Sequence, residues 1–244
     1  MKKLITSIVL AVFFFTPTQA QWWSGTEEVN GNGNMTTESR TVSDYDRVSL
    51  LGSMDVQLVA GKEGNLKIEA EENLLKHIIT EVEGNSLKIR VEKGYRLDPS
   101  RNMEIKVVVP FESLDAVTLT GSGDIYSADE IRSKNFEIKI VGSGDVKLFV
   151  TAKDATAGVT GSGDIELKGS AENFDCKVTG SGDISAFNFK SATVSATVLG
   201  SGDIQVYASE ELSAKTPGSG DIEYRGNPKK ENFRTMGSGS ITKR

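Results

Sequence analysis

The chain has one cysteine among its 244 residues, so no disulfide can form within it and its stability must come from packing. Its one histidine, His77, sits beside Ile78 and Ile79 with no cysteine, serine or acidic partner at a motif spacing, and reads as a surface or boundary residue rather than a base. Positive charge is not in excess either. With 28 basic residues against 34 acidic ones the net charge is −6, and no basic stripe is present, which excludes nucleic acid as a natural partner. No apolar run is long enough for a membrane-spanning helix. The longest, residues 4–15, follows Lys2 and Lys3 and leads into Thr16-Pro17-Thr18-Gln19-Ala20. That is the pattern of a secretory signal peptide over 1–20, cleaved after Ala20. No cysteine follows the cleavage region to take a lipid. An exported chain without disulfides fits a bacterial envelope better than a small secreted eukaryotic domain.

Glycine is what the chain has in quantity. Gly-Ser-Gly-Asp occurs six times, beginning at Gly121, Gly142, Gly161, Gly180, Gly200 and Gly218, and a seventh copy at Gly237 ends in Ser240. A degenerate copy, Gly52-Ser53-Met54-Asp55, stands well before the others. The regular copies step by 18 to 21 residues. A unit of that size cannot bury a face alone and must stack on its neighbours, so the repeat predicts an all-β solenoid with coils of about 20 residues.

The residues around each copy alternate. Four residues before the first glycine stand Val117, Ile138, Ala157, Cys176, Ala196, Ala214 and Phe233; two before it stand Leu119, Ile140, Val159, Val178, Val198, Thr216 and Thr235. Polar or small residues lie between them. Directly after the aspartate, or its serine replacement, come Ile125, Val146, Ile165, Ile184, Ile204, Ile222 and Ile241. Period-2 alternation on both sides of a turn predicts strand, corner, strand and a variable return loop in each coil. Cys176 falls in the inward column and reads as a small core residue rather than a nucleophile. Seven coils at about 4.8 Å each would make a rod of roughly 30 to 35 Å.

Two residue types at the corner invite a functional reading. The glycines Gly121, Gly123, Gly142, Gly144, Gly161, Gly163, Gly180, Gly182, Gly200, Gly202, Gly218 and Gly220 read as structural turns, where a bare backbone allows unusual angles and close stacking. A phosphate cradle would need a following helix, and a strand pattern follows instead. The aspartates Asp124, Asp145, Asp164, Asp183, Asp203 and Asp221 should point outward, one above the next. Unit charges about 5 Å apart in water repel by roughly 0.8 kcal/mol, so something must offset the column. Either each carboxylate accepts from amides of its own corner, or the column forms a ladder of calcium sites.

Outside the array, residues 21–40 hold Trp22, Trp23 and a Gly-Asn stretch without periodicity, and read as a flexible leader, or as an anchor to a partner through the two tryptophans. Residues 41–116 carry strand patterns with longer spacings and read as irregular coils or a small capping sheet, followed by the regular solenoid over 117–244.

The Gly-Ser-Gly-Asp-Ile array, Glu71-Glu72-Asn73-Leu74-Leu75 and Val107-Val108-Val109-Pro110 resemble the family described as putative auto-transporter adhesin, head GIN domain, across about residues 41 to 240. The resemblance implies a right-handed parallel β-helix of the pectin-lyase type, a Bacteroidetes-type source, a role in adhesion and a homo-oligomer, a trimer in that family's manner.

Three function classes follow. The first is a non-catalytic surface adhesin for a glycan or protein, without a cofactor. The second is a structural or interaction protein held in the periplasm, associating through the unpaired edges of its last coil. The third is a polysaccharide-cleaving enzyme, for which Arg96, Asp98 and Arg101 form the best cluster.

Overall fold

A computed structural model describes residues 25–244. The signal peptide expected over 1–20 and Trp22 and Trp23 lie outside the described residues. Chain order begins with β1 (Glu27–Asn30), β2 (Met35–Thr41), β3 (Arg47–Gly52), β4 (Asp55–Ala60), β5 (Asn65–Glu71) and the short helix α1 (Glu72–Leu75). Next come β6 (Ile78–Glu83), β7 (Ser86–Val91), β8 (Tyr95–Asp98), β9 (Lys106–Phe111) and β10 (Ala116–Gly121). The array follows as β11 (Ile125–Gly142), β12 (Val146–Gly161), β13 (Ile165–Gly180), β14 (Ile184–Gly200), β15 (Ile204–Thr216), β16 (Ile222–Arg225), β17 (Lys230–Thr235) and β18 (Ile241–Lys243).

The inward columns close the core of a parallel β-solenoid of about seven turns. Val117 pairs with Ile138, Ile138 with Ala157, Ala157 with Cys176, Cys176 with Ala196 and Ala196 with Ala214, all buried. Burial of each large aliphatic contributes about 1.5–3 kcal/mol. Burial also pushes the Cys176 thiol well above its usual value, with the Asp175 charge adding to it, so the sulfur stays protonated in the core. A third inward column, Phe136, Ala155, Phe174, Val194 and Leu212, lies one step further back and fills the space left by the small residues beside it. The columns end at the last coil: Phe233 is 38% exposed where its counterparts are buried, because no further strand covers it among the described residues.

The return loops expected in each coil are strand within β11 to β15, whereas residues 226–229, between β16 and β17, do form one. Pairing between β12 and β13 runs from Val146↔Ile165 to Gly161↔Gly180, and coils of unequal length are matched by bulges rather than loops. The backbone pairs coil to coil in this way because a parallel stack satisfies every amide only if it stays in register.

At the corners the two glycines do different work. Gly121 has φ +133°, a region closed to most residues with a Cβ, whereas Gly163 has ordinary angles but no room: a Cβ there would lie 2.1 Å from the Gly144 carbonyl oxygen of the coil before.

The chain before β3 is not wholly a leader. From Glu27 it pairs: β1 runs parallel to β8, and β2 runs antiparallel to β5. Polar, glycine-rich sequence concealed this because these edge strands carry little apolar alternation. One face of the solenoid ends with β3 against β7 and then antiparallel β6; the other ends with β4 against β9, then antiparallel β5 and β2. Antiparallel strands close this end of the rod.

Candidate functional site

The corner aspartates form a continuous chain of bonds, but not the one expected. The N–H of Asp145 donates to Oδ1 of Asp124 at 2.9 Å, that of Asp164 to Asp145 at 3.1 Å, that of Asp183 to Asp164 at 2.8 Å, and those of Asp203 and Asp221 to the aspartate before at 2.7 Å. Ser240 closes the series on Asp221 with its N–H at 2.7 Å and its hydroxyl at 2.9 Å. Each carboxylate therefore accepts from the next coil, not from its own corner. The amides of its own corner are already engaged: Ser143 and Gly144 both donate to the Gly121 carbonyl, at 2.9 and 3.2 Å. Among the described residues no three carboxylates, thiols or imidazoles converge as metal ligands.

A cleft forms where one corner is missing. The coil before β3 and β4 consists of β7 and β9, and residues 92–105 take the place of a Gly-Ser-Gly-Asp corner between them. Met54 occupies the third corner position, where later coils have glycine, and its side chain is free to point toward this gap because no corner lies beneath it. Residues 92–105 arch over the gap and leave a cavity of about 640 Å³. Its apolar lining includes Leu51, Met54, Leu97, Met103 and Ile105.

The cleft carries charge of both signs. Arg90, Lys93 and Arg96 line it together with Asp55 and Glu104. Arg90 is held by Glu81 at 2.7 Å and Arg96 by Glu28 at 2.6 Å, whereas Lys93 makes no ion pair among the described residues. The carboxyl of Asp55 is raised from its usual value, mainly by burial and also by the nearby charges of Asp124 and Glu104, against a lowering by the Asp124 amide and Lys106.

The residues singled out for catalysis do not assemble. Of Arg96, Asp98 and Arg101 only Arg96 faces the cleft. Asp98 ends β8, where its carbonyl accepts from Gly31 at 2.8 Å, and Arg101 is exposed on the following turn. His77 is buried rather than at the surface, with Nδ1 2.9 Å from Glu92 Oε2 and its ring 4.1 Å from that of Tyr95. Its acidic partner is distant in sequence, across β6 and β7, so no motif spacing could have shown it. Reading the sequence by its repeat missed the cleft as well. The one available signal was Met54, the single copy in which the third corner residue carries a side chain.

Comparison with solved structures places this architecture. A putative adhesin from Bacteroides fragilis superposes with a TM-score of 0.83 at 24% identity, over 88% of this chain and 100% of that one. A putative lipid binding protein from Parabacteroides distasonis superposes at 0.72 with 32% identity, over 89% and 100%. A putative adhesin from the same organism gives 0.73 at 22% identity, over 89% and 100%. No curated protein matches. Residues 44–228 match the family described as putative auto-transporter adhesin, head GIN domain, and with that stretch covering most of the chain, the cleft included, the chain belongs to that family.

Proposed function

We propose that the chain is an exported, non-catalytic binding protein displayed at the cell surface as an adhesin, and that its cleft seats an amphipathic ligand. The cleft carries this reading: a cavity of about 640 Å³ with an apolar lining and a lysine that makes no ion pair among the described residues suits an acyl chain with an anionic head against Lys93 and Arg96. The 32% identical relative described as a putative lipid binding protein supports it. Family membership supports adhesion.

Of Arg96, Asp98 and Arg101 only Arg96 lines the cleft, and this dispersal of the cluster supports a binding role over a chemical one. Cleavage of polygalacturonate that disappears in Arg96→Ala would overturn that part. For binding, the probe is a fluorescent fatty acid titrated into the mature chain. We expect saturable binding that Met103→Glu weakens by about tenfold or more, since a carboxylate would have to be desolvated against the acyl chain. No binding, or binding indifferent to Met103→Glu, would reject the cleft as the seat. Surface display is read by adding protease to intact producing cells beside a periplasmic control. Digestion with an intact control is expected; protection until the envelope is opened would place the protein inside and favour a periplasmic interaction role.

A further inference from the structure

A second recess lies on the flank of the rod, well along the array from the cleft, where β14 departs from the regular register. Ile184, Ser185 and Ala186 pair with Ile204, Gln205 and Val206, and the next pair is Lys190 with Tyr207. Phe187, Asn188 and Phe189 thus have no partner on β15. On the other side Glu166 pairs with Ser185 and Lys168 with Asn188, so the bulge belongs to β14 against both neighbours. Bulges re-aim side chains. Here Phe189 turns inward, fully buried and edge-on to Phe174 at 5.0 Å, and anchors the bulge. Phe187 and Asn188 stand outward. The guanidinium of Arg225 lies 4.1 Å from the Phe187 ring centroid and fixes the ring on the wall of a recess of about 440 Å³.

This recess continues into a smaller one of about 290 Å³ beside Phe149, and the two share Lys147 and Glu166. Together they make a trough along the rod axis. Its two rings, Phe149 and Phe187, stand two coils apart, roughly 10 Å at one strand spacing per coil. Phe149 is 37% exposed, so its ring is open to solvent at the trough.

The chemistry of the trough selects among ligands. Asp145, Asp164, Glu166 and Asp183 face Lys147, Lys168 and Arg225, so the lining is close to neutral and does not suit a polyanion. It is too polar for an acyl chain. The strands beneath it are paired on both sides, leaving no edge for a peptide to extend. What remains is a dense set of hydroxyl-binding groups, the amides of Asn188 and Gln205 and the carboxylates among them, flanked by aromatic rings. Each corner carboxylate uses one oxygen on the next coil's amide and keeps the other available. We infer that this trough binds a linear neutral oligosaccharide, with rings of the chain against Phe187 and Phe149 and hydroxyls on Asn188, Gln205 and the carboxylates.

The trough is separate from the apolar cleft, so its test stands apart from that of the cleft. Cellohexaose, laminarihexaose, mannohexaose and chitohexaose are each titrated calorimetrically into the mature chain. At least one is expected to bind, and Phe187→Ala to weaken it by about tenfold or more through loss of the ring contact. Gln205→Ala, at a position on the groove wall that does not enter the core, is expected to weaken the same sugar severalfold with an unchanged melting temperature, which separates recognition from folding. Met103→Glu in the cleft should leave sugar binding as it is. Failure of all four sugars to bind, binding untouched by both trough variants, or tighter binding of a sulfated polysaccharide than of any neutral one would each overturn the inference.

Discussion

The backbone N–H of Asp183 donates to Oδ1 of Asp164 at 2.8 Å, so the outward aspartate of one coil is an acceptor for the next. This relationship repeats along the array and explains how a column of like charges survives at one strand spacing. The carboxylate substitutes for a backbone carbonyl at the corner, where the strand ladder is interrupted. We therefore expect the acceptor oxygen to matter more than the charge. Asp164→Asn should keep the melting temperature near that of the parent. Asp164→Ala should lower stability by about 1 kcal/mol, or a few degrees in a chain of this size. Equal losses in the two variants would show that the charge itself is required.

The same geometry bears on calcium. Each carboxylate has an amide partner in the neighbouring coil, and among the described residues no group of three metal-ligating side chains converges. Thermal melts with and without a chelator should therefore superimpose. A fall of many degrees with chelator would reinstate the cation ladder.

Close stacking at the corner makes a second expectation. A Cβ on Gly163 would lie 2.1 Å from the Gly144 carbonyl oxygen, and backbone in register on both sides has nowhere to go, whereas a Cβ on Gly158 meets nothing within 4 Å. Gly163→Ala should cost about 2–3 kcal/mol, as forced overpacking does, while Gly158→Ala should be neutral or stabilise by about 0.5 kcal/mol. Urea titrations of the two variants measure the difference. A Gly163→Ala protein as stable as Gly158→Ala would mean the coils can separate at their corners.

How much of this was legible in the sequence depends on the repeat. Columns such as Val117 to Ala214 and Ile125 to Ile222 identify both the strands and their inward faces, because a stack forces equivalent residues into equivalent environments. The bond from Asp183 to Asp164 was not legible, since an aspartate in a turn ordinarily serves its own turn and only the stacking distance reveals the alternative. Nor was the cleft. Residues 92–105 have no counterpart in the array, and Leu97 and Met103 meet Met54 only because a corner is absent there. The trough has the same origin: Phe187 stands at a bulge in β14, and a bulge or a loop would have read alike in the sequence. The regular part of this protein is therefore the scaffold, and both candidate sites arise where the regularity fails.

The capped end depends on one buried carboxylate. Glu71, 1% exposed at the end of β5, accepts from the Ser100 N–H at 2.8 Å, from the Ser100 hydroxyl at 2.6 Å and from the Gly33 N–H. It thereby ties the strand-poor segment before β2 to the arch over the cleft. The fit is close, for a Cβ on Gly31 would lie 1.9 Å from Glu71 Oε2. Burial opposes ionisation, but the three donors outweigh it and hold the carboxyl below the usual range. Its folded pKa is thus lower than its unfolded one. The stabilisation is present in full above the unfolded value and is lost as pH falls through the folded value, when a proton displaces one of the donors. Melting temperatures measured from about pH 7 to about pH 3 should fall in the parent and converge on those of Glu71→Gln, which lacks the charge throughout and presents an amide donor to donors. At neutral pH Glu71→Gln should be less stable by about 1–3 kcal/mol, the cost of leaving buried donors unmatched. It should also weaken binding of the fluorescent fatty acid, because the arch over the cleft loses its tie. Parallel pH profiles for the two proteins would show that Glu71 is not the group whose protonation loosens the cap.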